Sequence, residues 1–281
     1  MGRFPVATRR TWPAPAGPRR KLLPFTADPV ALDDASISRR TLVSRFIAAG
    51  TALSGVGAAL GAFASRADAE GAAGGNRAGE FTFARLRYDS GDWDYNPKVC
   101  ANVLDSLIQY TTIPVHEQEV VITADASELG AFPFVFMTGH KLVRFNAKER
   151  AGLMRFVESG GLLLADDCNH DVNGLFAQSF DAEMRKAFPA APGLAKVPKG
   201  HAIYKSFFTF DGPPQTSHEV NGWGDNVVHD YVRGIERGGR LGVIYTNQDY
   251  GCEWDYSWKN KRFRTKDNTK FAVNLVVYSM T

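Results

Sequence analysis

Four short segments concentrate the residues able to do chemistry. They are Asp89–Asp94, Thr138-Gly139-His140, Asp166-Asp167-Cys168-Asn169-His170-Asp171 and Asn247–Trp254, the last containing Cys252 and Glu253. Cys168 beside Asp167, with His140 or His170 in reach, is the combination a thiol nucleophile and its base would need. The carboxylates work against it, because like charges beside a thiol raise its pKa. Asp166, Asp167, His140 and His170 are also hard and borderline metal donors. Their spacing fits no strong metal motif; His-Glu-x-x-His and Cys-x-x-Cys are both absent. Adjacent aspartates on an extended chain point to opposite sides, so one metal would take at most one of them in place. Cys168 and Cys252 are a natural disulfide pair in an oxidising compartment, whereas Cys100 has the spacing of a core residue. Asp92 and Trp93, with Trp223, Trp254 and Trp258, set aromatic faces next to acids, which suits a carbohydrate ring; the alternative is tryptophan packing loops onto a core. His116 and His201 sit in apolar-flanked segments and read as structural.

These segments need a scaffold that brings them to one edge. Phe81–Tyr88 alternates like a strand, and Asn96-Pro97 reads as the cap and first turn of a helix with Cys100, Val103, Leu104 and Leu107 on one face. Phe132–Met137 and Leu162–Ala165 are continuous apolar runs, as buried parallel strands are. Between them Asn146 caps a helix that Gly160-Gly161 ends. Strand, helix, strand with short links predicts a βαβ unit and a right-handed crossover. Phe176, Phe180, Met184 and Phe188 predict a further helix. Ile113–Val115, Val120–Ile122 and His201–Tyr204 read as short extended pieces, Val227–Ile235 as a helix closed by Gly238-Gly239, Leu241–Tyr245 as a strand, and Thr269–Tyr278 as the last helix. In an open parallel sheet ligands bind beyond the carboxyl ends of the strands. All four chemistry-bearing segments leave such ends.

The first eighty residues differ in composition. Residues 1–35 are rich in Pro, Ala and Arg and read as a disordered extension. Ser38-Arg39-Arg40-Thr41-Leu42-Val43 resembles the twin-arginine export motif, followed by a weakly apolar run from Phe46 to Ala64 and a small-x-small site at Ala67-Asp68-Ala69. Residues 36–69 therefore read as a twin-arginine signal peptide, 70–79 as a linker and 80–281 as one α/β domain. The resemblance implies the twin-arginine export machinery as a partner and a periplasmic or secreted destination, with an uncleaved membrane anchor as the alternative. Ten basic and four acidic residues precede Glu70, of the chain's 33 and 30, which leaves 23 and 26 in the remainder. The net charge of +3 thus belongs to the leader. Charge gives no case for nucleic-acid binding, and the basic run 259–270 reads as a solvated loop.

Gly160–Cys168 with Phe136–His140 upstream, and later Asn247–Trp254 and His201–Tyr204, resemble the family called domain of unknown function 4159. The resemblance covers about residues 80–281 and implies a flavodoxin-like three-layer α/β/α sandwich with a mainly parallel sheet, similar to class I glutamine amidotransferases and trehalose-utilisation-like proteins. It puts Cys168 at the topological place of the amidotransferase nucleophile. The sequence departs from that pattern: Gly-x-Cys-x-Gly is absent around Cys168, which Asp167 and Asn169 flank, and no His-x-Glu occurs, His218-Glu219 and His229-Asp230 notwithstanding. The expectation is a non-catalytic envelope protein that binds a small molecule or a protein partner. The alternative is a hydrolase-like enzyme using Cys168, Asp167 and His140. Under either reading Asp92, Trp93, Asp166, His170, Cys252 and Trp254 are the expected ligand-facing residues. No feature identifies a cofactor.

Overall fold

The two continuous apolar runs become neighbouring parallel strands, β3 (Phe134–Gly139) and β4 (Leu162–Asp167), joined through helix α2 (Ala147–Glu158). The computed structural model describes residues 79–217, 224–255 and 269–281. The expectations for the leader, for His218-Glu219, Trp223 and Trp258, and for most of the basic run lie outside the described residues. Helix α2 begins as its sequence dictates: Asn146 accepts from the Lys148 and Glu149 amides, and Glu149 accepts in return from the Asn146 amide. Gly160 ends the turn after it with φ +97°, a left-handed conformation that costs glycine little.

The other described elements are β1 (Ala84–Arg87), α1 (Val99–Tyr110), β2 (Val120–Thr123), α3 (Leu175–Ala187), β5 (Ala195–Lys196), β6 (Arg233–Arg237), β7 (Arg240–Thr246), α4 (Tyr250–Asp255) and α5 (Thr269–Ser279). Among the described residues the strand order is β2-β1-β3-β4-β7-β6-β5. The first five run parallel, and β6 and β5 extend the sheet antiparallel. This is an α/β fold with a seven-stranded, mostly parallel sheet. Alternation along the buried strands divides the apolar side chains into two clusters. Phe134, Phe136, Leu162 and Leu164 pack with α1 and α5, while Val135, Met137, Leu163 and Ala165 pack with α2 and α3. Among the described residues no helix is long and apolar enough to cross a membrane.

Four local expectations need correction. Residues 227–235 are not a helix: Arg233–Arg237 is a strand, hairpinned to β7 through Gly238 and Gly239, which have φ of +59° and +79°. Two adjacent left-handed residues make the tight turn that matches strand twist. A Cβ at Gly234 would meet the Leu241 side chain and the Val243 carbonyl, so glycine here admits close strand approach rather than loosening a helix. His201–Tyr204 is a 3-10 turn over Ala202–Tyr204, with the His201 ring accepting from the Ile203 amide. The segment 247–254 contains helix α4 as well as a loop. Finally, Asn96 does not cap α1, whose preceding residue is Lys98; it has φ +58° and turns its side chain inward.

Candidate functional site

Register decides which acid faces which side. Thr138 pairs with Asp166 and Asp166 with Thr246, while Gly139 pairs with Asp167. Asp166 therefore shares a face with Thr138 and Phe136, toward α1 and α4. Asp167 shares the opposite face with Met137 and Tyr245. The two adjacent aspartates point apart, as extended backbone requires.

Asp166 is fully buried and holds a helix in place. Its Oδ1 accepts from the Tyr250 amide at 3.0 Å and its Oδ2 from the Gly251 amide at 2.6 Å, the first N–H groups of α4. Burial, then the nearby Asp249, push its carboxyl well above the usual range, against the pull of those two amides. Asp167 accepts from the Tyr245 hydroxyl at 2.9 Å and the Asn169 amide at 2.9 Å. Burial lifts it to about 6, with those hydrogen bonds opposing.

Cys168 follows on the Asp166 side. It is 8% exposed, with Thr138 Oγ1 at 2.9 Å and Asn96 Nδ2 at 3.1 Å from its sulfur. Asn96 Oδ1 accepts from the Cys252 thiol at 3.5 Å, so one amide spans both sulfurs. The guanidinium of buried Arg85 fixes that loop by donating to the Tyr95 and Asn96 carbonyls. Burial, the hydrogen bond with Cys252 and the Asp249 charge raise the Cys168 thiol well above its ordinary value. The same hydrogen bond lowers Cys252, yet burial and Asp249 outweigh it and leave that thiol raised as well. The Cys168 and Cys252 sulfurs and an Asp249 carboxylate oxygen lie within 4.8 Å of one another, the one such group of potential metal donors among the described residues. All three cysteines are unbonded. Cys100 is buried in the α1 core, as its spacing predicts, and burial pushes its thiol up to about 12.

The histidines go elsewhere. His140 Nδ1 meets Asp92 Oδ2 at 2.7 Å, and the His140 amide donates to Asp92 Oδ1 at 2.8 Å. Tyr95 stands edge-on to the imidazole at 4.3 Å. This pair bridges the carboxyl ends of β1 and β3 and stays partly open, the side chains being 30% and 18% exposed. Burial alone would raise Asp92; the His140 amide and ring hold its carboxyl below the ordinary value. Half-buried Trp93 packs against the α2–α3 core. His170 is buried, with Nδ1 on the Asn247 carbonyl and Nε2 on the Val227 carbonyl, and it ties residues 224–229 to the end of β7. Asp225 lies 3.9 Å from His170 and 2.7 Å from His229.

The residues expected from sequence thus separate. Asp166, Cys168 and Cys252 come together, joined by Asn96, Thr138 and Asp249. Asp167 faces Tyr245 across the sheet, His140 pairs with Asp92, and no imidazole contacts the Cys168 sulfur among the described residues. The metal set Asp166, Asp167, His140 and His170 does not converge. Trp254 is fully buried against Tyr250 and Phe136, which is the packing alternative rather than a ligand-facing position. His170 is equally enclosed. Asp249 carried a usable signal: it is three residues before Cys252, a spacing that brings both to one side of a helical turn. Asn96 did not, because an Asn before Pro reads first as a cap.

A shallow depression lined by Glu158, Gly160, Arg237 and Arg240 lies at the opposite ends of β4 and β7, away from all of these groups. No curated protein matches the sequence. A family model described as "Domain of unknown function (DUF4159)" matches residues 82–280, which takes in every described strand and helix. The chain belongs to this family.

Proposed function

We propose that the chain is exported by the twin-arginine route and that residues 80–281 form a non-catalytic, flavodoxin-like binding domain of class I amidotransferase-like topology. Its ligand is a polar small molecule or an exposed polar segment of a partner, seated on Asp92, His140 and Tyr95. The order of the five parallel strands supports the fold reading, since β2-β1-β3-β4-β7 is the 2-1-3-4-5 sequence of doubly wound sheets with helices on both faces. In such sheets the crevice opens where the order reverses, between β1 and β3. The open Asp92–His140 pair stands there, and His140 Nε2 has no hydrogen-bond partner among the described residues.

The observation that carries the non-catalytic reading is the state of Cys168. A nucleophile needs exposure, a base and a stabilised thiolate. Cys168 is buried, touches a hydroxyl, an amide and a second thiol, and has acids nearby that disfavour its anion.

Calorimetric screening of the mature protein against sugars, amino acids and carboxylates, with parallel amide and ester turnover assays, tests this. Expected are a ligand that Asp92→Asn or His140→Ala weakens and Cys168→Ser leaves unchanged, and no turnover. Turnover that Cys168→Ser abolishes would establish the hydrolase alternative. For export, Arg39→Lys with Arg40→Lys should retain the chain in the cytoplasm, and the exported form should begin near Glu70.

A further inference from the structure

The buried cluster at the carboxyl end of β4 has a composition that neither a binding crevice nor a lost nucleophile explains. Two thiols and a carboxylate converge, and Asp166 sits two residues before the first thiol. A bound cation would offset the negative charge such a group carries once its thiols are deprotonated.

We propose that Cys168, Cys252 and Asp249 ligate one divalent metal ion of the zinc type, with Asn96 Oδ1 in reach of the fourth position. Bonds of roughly 2.3 Å to sulfur and 2.0 Å to oxygen put tetrahedral donor atoms roughly 3.5–3.8 Å apart. The three donors already lie within 4.8 Å of one another, close to that spacing. Two thiolates select a borderline ion over magnesium or calcium.

The surroundings of Cys168 point independently to a bound thiolate. Its sulfur receives an amide N–H from Asn96 at 3.1 Å and has the Thr138 hydroxyl at 2.9 Å. Hydrogen-bond donors around a ligating atom are the usual outer partners of a metal site. Asp166 is not spent on the ion; it holds α4, and with it Cys252, at the right height. The structure is closed around the group, since a Cβ on Gly251 would meet Asn96 Nδ2 at 2.6 Å and Asp166 Oδ2 at 2.9 Å. On binding, each thiol loses its proton to solvent, and the ion clamps α4 to the carboxyl end of β4. The ion is structural, whatever the Asp92–His140 crevice holds. A Cys168–Cys252 disulfide is the competing fate, because it would consume both sulfurs.

The test uses the full chain purified without a tag, kept reduced, and titrated with Zn²⁺ and Co²⁺. Expected are about one ion per chain, an intense thiolate-to-cobalt absorption, and two sulfur ligands by X-ray absorption at the zinc edge. Cys252→Ser and Asp249→Asn should each weaken binding by ~10-fold or more, and Thr138→Val by about tenfold. If a variant fails to fold, the cobalt spectrum of the unaltered chain still decides. Absence of the thiolate band overturns the proposal. So does zinc bound equally well by folded Cys252→Ser, or an exported protein whose mass is two hydrogens low until reductant restores it.

Discussion

The Asp92–His140 pair and the Asp166–Cys168–Cys252–Asp249 cluster occupy the same edge of one sheet and use similar residue types, yet they behave oppositely. In the first, an acid meets an imidazole at 2.7 Å in a partly open crevice, and its carboxyl is held below the ordinary value. In the second, acids and thiols crowd together out of water, and burial with like charge pushes Asp166, Cys168 and Cys252 up. The difference lies in exposure and in the sign of the nearest partner. It teaches that a motif such as Asp-Asp-Cys has no fixed chemistry: beside a free imidazole at a surface it would be a reactive thiol, and here it is an interior joint.

The comparison is broken most severely at Asp166. Asp166→Ala strands two buried amide donors of α4 and should cost about 3 kcal/mol in urea unfolding. A loss under about 1 kcal/mol would mean α4 does not depend on that carboxylate. Gly251→Ala drives a methyl group into Asn96 and Asp166 and should cost about 2 kcal/mol, with the Cys252 thiol more readily alkylated in the native state. Next comes Tyr245→Phe, which removes a hydroxyl donor from buried Asp167 and should cost about 1 kcal/mol. Cys168 in the unaltered protein should resist alkylation until denaturant is added, because opening must precede reaction.

Much of the frame is legible in the residues. Apolar runs at Phe134–Met137 and Leu162–Ala165, Asn146 three residues before Glu149, and Gly160-Gly161 specify β3, α2 and β4 through local rules that tertiary packing does not overturn. The same rules misread Val227–Ile235, whose last three residues open the strand Arg233–Arg237 fixed by its hairpin partner β7, while 227–232 form no helix or strand. Long-range pairing, not local preference, decides such a segment. At the site, the Asp166-Asp167-Cys168 loop is legible as a place, and the opposite facing of the two aspartates follows from backbone geometry alone. What joins Cys168 is not legible. Asn96 reaches it across 72 residues by way of a left-handed backbone that Arg85 pins, and no spacing rule encodes that contact.

The smallest expected effect sharpens the comparison most, because it concerns sign. Asp92→Asn keeps an oxygen for the His140 amide and removes the charge facing the ring. A partly exposed pair of this kind contributes about 0.5 kcal/mol. Since the folded carboxyl titrates below the unfolded one, near pH 4, its contribution is complete above about pH 4 and disappears as the pH falls through the lowered folded value. The stability gap between the unaltered protein and Asp92→Asn should therefore close as the pH falls from about 5 to below about 4. Urea midpoints across that range measure it. A gap that widened toward acid would mean that Asp92, like Asp166, is raised by burial, and that the open crevice and the closed cluster are one electrostatic unit rather than two.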